Sequence, residues 1–169
     1  NFDELQWNDW RKNGMAQLNS GLMGNPDLAE IAKYSMEFIT DFMDLENGAI
    51  FMVQGGSFKV MHTVGLHSLP LSELPLTEGI FAEVHRTKRQ RVIRDLCPDE
   101  FKLSFAQGEI SINQIALLPI VYQQECMGII EVGSRGELSQ EKLDVISDFC
   151  EIIGISLVAA QSRRRVQQL

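Results

Sequence analysis

The chain has 169 residues, 44% of them apolar and 22% charged, the proportions of one folded domain that buries a core without disulfides or a structural metal. Disorder is excluded by these numbers, and a formal charge of −8, from 15 basic and 23 acidic side chains, excludes a general nucleic-acid binder, which needs clustered positive charge. The longest apolar runs, such as Ile115 to Val121, fall well short of the ~20 residues a membrane-crossing helix needs.

From the amino terminus, Leu5, Trp10, Leu18 and Leu22 recur at loose helical spacing across residues 1–23, interrupted by Gly14. In Gly24-Asn25-Pro26-Asp27, Asn25 is read as the cap of a second helix and Pro26 as its first residue. That helix carries Leu28, Ile31, Ala32, Ile39, Phe42 and Met43 along one stripe and ends at Asn47-Gly48. Two strands, Ala49 to Val53 and Phe58 to Val64, flank a Gly55-Gly56 turn. Pro70 and Pro75 break the stretch from Gly65 to Gly79 into a loop; Ile80 to Arg86 reads as a short helix and Gln90 to Ile93 as a brief strand. Residues Asp95 to Glu109 look irregular and partly helical, the composition of a segment that covers a ligand.

Ile112 to Val121 and Cys126 to Val132 are apolar on successive residues, so both faces of their sheet should be covered; Tyr122 to Glu125 joins them as a hairpin. Pro119 belongs at an edge, a bulge or a strand end. Ser139 caps a last helix over 139–169, in which Leu143, Ile146, Cys150, Ile153, Leu157 and Ala160 step by threes and fours. This seam is expected to form a homodimer interface, with Phe149, Ile152 and Ile155 as a second apolar flank packed on the sheet, a helix or the partner. Hairpin strands bracketed by helices give an α+β fold with an antiparallel sheet.

Four stretches, in order, resemble the GAF family of regulatory domains: Asp27 to Val53; Leu76-Thr77-Glu78-Gly79-Ile80-Phe81-Ala82-Glu83-Val84; Gln90 to Asp95; and the paired strands Ala116-Leu117-Leu118-Pro119-Ile120 and Met127-Gly128-Ile129-Ile130-Glu131-Val132. The resemblance spans nearly the whole chain and implies one domain over 1–169. Its sheet would have about five to six strands, with the first and last helices on one face and loops and short helices roofing a pocket on the other. Met61, Phe81, His85, Asp95, Cys97, Phe101 and Phe105 are the candidate pocket residues, aromatic walls with a few polar groups. A core filled by the protein itself under the lid is the alternative.

No catalytic constellation is evident. His62, His67 and His85 lack the spacing of a metal or triad site, and no phosphate-binding glycine pattern occurs. Asp95-Leu96-Cys97-Pro98 is similar to a bilin-attachment element of some GAF relatives, but Pro98 stands where an aromatic residue belongs and no Cys-His pair follows. The Asn-Lys…Phe-Asp signature of cyclic-nucleotide-binding relatives cannot be placed either, so bilin, haem and cyclic nucleotide are not supported by motifs, and no metal site is expected. Cys126 and Cys150 read as core, unlike the clustered thiols of relatives that reduce methionine sulfoxide.

Arg86, Lys88, Arg89, Arg91 and Arg94 gather within 85–94, as an anionic-ligand patch or as a solvated helix end beside an edge strand. Three cysteines without a CxxC pair suggest a reducing compartment, hence the cytoplasm. A start at Asn1 suggests a piece of a longer chain with an effector elsewhere. The expected function is a non-catalytic sensory module of a signalling protein such as a sensor histidine kinase, dimeric through its terminal helices, binding a small molecule and touching neither nucleic acid nor membrane. The alternatives are a cysteine-dependent redox enzyme or sensor using Cys97, and a ligand-free dimerisation spacer.

Overall fold

The computed structural model describes residues 3–66, 71–97 and 100–169. Helix α1 (Glu4–Gly21) starts with a capping box: the Asp3 carboxylate accepts the Gln6 N–H at 2.8 Å while the Gln6 side chain accepts the Asp3 N–H at 3.3 Å. Gly14 is a packing contact rather than an interruption, since a Cβ there would lie 2.6 Å from the Phe42 ring and 3.0 Å from Phe149. Helix α2 (Leu28–Phe42) is capped by Asp27, in a second box with Glu30. Asn25, expected to cap, instead has φ of 59° and turns the chain before the helix.

Strands β1 (Asn47–Gln54) and β2 (Ser57–Val64) form the expected hairpin, with Gly55 at φ 64°. Asn47 is thus a strand residue, and α2 has already ended at Phe42. Inside the stretch expected to be loop, β3 (Glu73–Pro75) pairs with β2. Helix α3 (Gly79–Thr87) and strand β4 (Arg91–Ile93) follow. The segment expected to be partly helical is a two-stranded ribbon, β5 (Lys102–Phe105) and β6 (Gly108–Ser111); its polar and apolar residues alternate with the period of a strand. Strands β7 (Gln114–Tyr122) and β8 (Glu125–Ser134) are joined by Gln123 and Gln124, both left-handed as a tight hairpin requires. Pro119 lies beyond the end of β4, which reaches only to Leu117, so at that point β7 is an edge.

The main sheet is antiparallel, in the order β3-β2-β1-β8-β7-β4. Ile50, Met52, Ala116, Leu118, Ile120, Ile130 and Val132 point to one face, beneath α1, α2 and the long helix α4 (Gln140–Gln167). Ser139 caps α4 as expected, accepting the Lys142 N–H at 3.3 Å. Ala49, Phe51, Phe58, Leu117 and Ile129 point to the other face, where Phe81 and Val84 of α3 complete a smaller core. Both faces are covered, as the continuous apolar runs required. Among the described residues no helix is long and apolar enough to cross a membrane.

The α4 seam is the largest departure from the expected arrangement. Leu143, Ile146, Cys150, Ile153, Leu157 and Ala160 are all buried inside the single chain, at most 5% exposed. Their heptad spacing reflects packing across β7 and against α1 and α2, so this stripe is not a surface for a second copy. Phe149, of the second flank, meets Phe38 and Phe42 of α2 edge-on at ring separations of 5.4 and 5.6 Å. An Arg11–Asp148 ion pair ties α1 to α4, and Arg163 donates to the Pro26 carbonyl at 2.6 Å, fixing the end of α4 to the α1–α2 connection.

Candidate functional site

The sheet face away from α4 is not fully filled. Toward the start of β1 the β5–β6 ribbon stands over it and borders a half-open cavity of about 440 Å³. The ribbon is anchored at its base, where the Ile112 N–H donates to the Phe101 carbonyl at 2.7 Å and the Asn113 N–H to the Ser134 carbonyl at 3.0 Å. Phe101, Leu103, Ile112 and Ile115 supply apolar walls. The floor is polar at one point. Glu131 lies between Ala49 of β1 and Leu117 of β7 in the sheet register, on the face that carries Ile129 and Phe51. Gly133, two residues on, lacks a Cβ where the Asn47 side-chain amide lies, so that amide also reaches the cavity. Burial alone pushes the Glu131 carboxyl above its ordinary value, and no described residue gives it a hydrogen bond or counter-charge.

A second, more open cleft of about 590 Å³ lies between the C-terminal end of α3 and the β7–β8 turn, lined by His85, Arg86, Lys88 and Cys126. Its cations have structural explanations. Arg86 occupies the last turn of α3, where the helix dipole favours positive charge, and Lys88 is its left-handed C-cap. Arg91 sits on the edge strand β4 and pairs with Glu83 at 2.6 Å.

The family model for the GAF domain matches residues 25–158. The chain belongs to the GAF family. No curated protein matches it by sequence. Among solved structures, the GAF domain of a phosphoenolpyruvate-protein phosphotransferase from Coxiella burnetii is 17% identical with a TM-score of 0.75, covering 92% of this chain and 96% of that one. The corresponding domain from Acinetobacter is 15% identical with a TM-score of 0.73, over 95% and 96%. The free methionine-R-sulfoxide reductase of Neisseria meningitidis, in complex with its substrate, is 12% identical with a TM-score of 0.70, over 90% and 91%. At these identities the likeness establishes the GAF fold. GAF domains are in general sensory and regulatory modules, and some proteins of the fold are enzymes.

Within this GAF domain the sequence-predicted pocket residues do not form one site. Phe101 lines the cavity under the ribbon, and Phe105, at the far end of β5, is 48% exposed. Phe81 is part of the small core, edge-on to Phe51 at 4.9 Å, and His85 meets Phe58 edge-on at 5.6 Å beside the open cleft. Asp95 is exposed with φ of 54°, and Cys97 is exposed nearby. Met61 is on the opposite face: it alternates with Phe58 and Val60 and so points to the α4 side, where the Gln54 amide contacts its sulfur at 3.7 Å. His67 and Pro98 lie outside the described residues.

Cys126 and Cys150 are buried, and burial raises both thiols, that of Cys150 to about 12. They act as core. Among the described residues no three His, Cys, Asp or Glu side chains gather as a metal site would need. The residues that sequence reasoning missed are Glu131, Leu103, Ile112 and Ile115. The available signal was Glu131 itself, the one acid inside the apolar run Gly128 to Val132 at a position whose strand neighbours on the same face point inward.

Proposed function

We propose that this domain is the ligand-sensing regulatory unit of a multidomain signalling protein in a reducing, cytoplasmic setting, as in a sensor histidine kinase, and that it works as a homodimer. The observation that supports this is the double use of β7 and β8. Ile115 of β7 and Glu131 of β8 line the cavity, while Ala116, Leu118 and Ile120 of β7, on the opposite face, form the bed on which α4 lies, with Ile130 and Val132 of β8 pointing to the same side. A ligand that shifts these strands therefore presses on α4 one residue away, and a packed interface of this kind passes on a shift by moving between discrete arrangements.

With the buried seam occupied by its own sheet, pairing of two copies falls to the outer side of α4. Ile155 and Val166 are 60% and 68% exposed there, and three helical turns separate them on one face. The test is the output activity of the full-length protein carrying Leu103→Trp, which fills the cavity from the ribbon. A several-fold change in output supports the reading. Unchanged output from a folded variant overturns it. Light scattering checks the dimer, with Ile155→Asp expected to yield a monomer of unchanged fold.

A further inference from the structure

The Glu131 side chain makes no hydrogen bond or ion pair with any described residue of the fold. A leucine or valine at its position would extend the apolar surface formed by Ala49, Leu117 and Ile129, whereas a carboxylate here loses much of its hydration and gains no partner among the described residues. A mostly buried acid in this condition has its natural partner in what enters the cavity. The cavity is closed on the sheet side and walled by Phe101, Leu103, Ile112 and Ile115; Glu100 and Lys102 stand at the exposed rim, so the one charge on the floor is negative. Its volume of about 440 Å³ suits a compact small molecule rather than a peptide.

We propose that the cavity beneath the β5–β6 ribbon binds a small organic cation, a protonated amine on an apolar body, whose ammonium pairs with the Glu131 carboxylate while its body lies against Leu103, Ile112 and Ile115. This rests on the reading of the cavity as a ligand site and adds the class of ligand. Charge makes the difference between this ligand and a neutral donor: in a partly dehydrated site an ammonium recovers more of what the ionised carboxylate lost than a hydroxyl can. The Asn47 amide beside the floor offers a second polar contact that orients the same head group.

The experiment measures binding of benzylamine, benzyl alcohol and benzoate to the domain by titration with amide-shift detection. Benzylamine should bind at least tenfold tighter than the alcohol, with saturable shifts at the Glu131 and Leu103 amides, and benzoate weakest. Glu131→Gln should remove the preference for the amine over the alcohol, and Leu103→Trp should abolish binding of both. Equal affinity for amine and alcohol, tightest binding of benzoate, an amine preference that survives Glu131→Gln, or no binding of any of the three would each overturn the proposal. Amine binding with no change in hydrogen exchange along α4 would sustain it while removing the regulatory reading.

Discussion

Ile153 and Ile155 are two residues apart on α4, yet one is fully buried and the other is 60% exposed. If the seam belongs to the interior of one chain, truncating the first must cost folding free energy and truncating the second must not. Ile153→Ala removes three carbons from a fully buried site, and at about 0.8 kcal/mol per buried carbon the transfer loss is about 2.4 kcal/mol. The sheet beneath Ile153 is close-packed, with Gly154 already against Ile120 and the Val121 carbonyl, so the hole collapses only in part. A cavity contribution then brings the total to about 3–4 kcal/mol. For a domain of this size that lowers the melting temperature by about 6–16 °C, at about 2–4 °C per kcal/mol. Ile155→Ala should stay within about 0.5 kcal/mol. Urea unfolding of both variants, followed at low protein concentration so that association does not contribute, measures the difference, and the denaturant slope should be unchanged. An Ile153→Ala protein with an unaltered midpoint but half the mass by light scattering would refute the placement of the seam.

Asp27→Ala should cost about 1 kcal/mol through loss of the α2 capping box, while Asn25→Gly should be close to neutral because Asn25 is a left-handed turn residue; thermal melts separate the two. Iodoacetamide should modify Cys97 alone in the native protein, with Cys126 and Cys150 reacting only after denaturation, as intact mass shows; early loss of a second thiol would contradict their burial. Glu131→Gln should stabilise the protein at neutral pH. Because burial holds the folded carboxyl above its unfolded value, the protonated form contributes stability that is present below about pH 4.3, the ordinary glutamate value, and is lost as pH rises through the folded value. The melting difference between variant and parent should therefore be present near pH 7 and vanish near pH 4, and a difference independent of pH would exclude ionisation as its source.

Much of the architecture is legible because the local signals and the global fold agree. Gly55 between two apolar runs, Ser139 before α4 and the successive apolar residues of β7 and β8 each have one structural solution, and all three take it. The misread elements are those where two solutions share one pattern. A heptad seam serves equally well for a helix lying on its own sheet and for a helix on a partner, and only the presence of β7 beneath α4 decides between them. In the same way Asn25 and Asp27 are both good caps. The chain uses Asp27 because only that register puts Glu30 at the third helical position, where its side chain returns to the cap.

The candidate site was less legible than the fold, and β2 shows why. Strand alternation assigns each residue to a face only until a bulge shifts the register by one. Met61 follows Val60, so alternation from Phe58 and Val60 already places it on the α4 side, and the bulge beside Ile50 and Phe51 then brings Val64, which the same alternation would put with Phe58 and Val60, to the α4 side as well. Pocket membership adds a further condition, since a residue must face the correct side and also remain unfilled by its neighbours. Phe81 meets the first condition and fails the second, because Phe51 and Phe58 close around it. Glu131 meets both because it is charged: an apolar residue at its place would have been absorbed into the small core, and the carboxylate keeps that end of the sheet available to something that is not yet there. On the far side of the sheet α4 lies along β7, the strand paired with Glu131 through Leu117, so the residue least suited to the core sits one strand away from the helix that would carry a signal out.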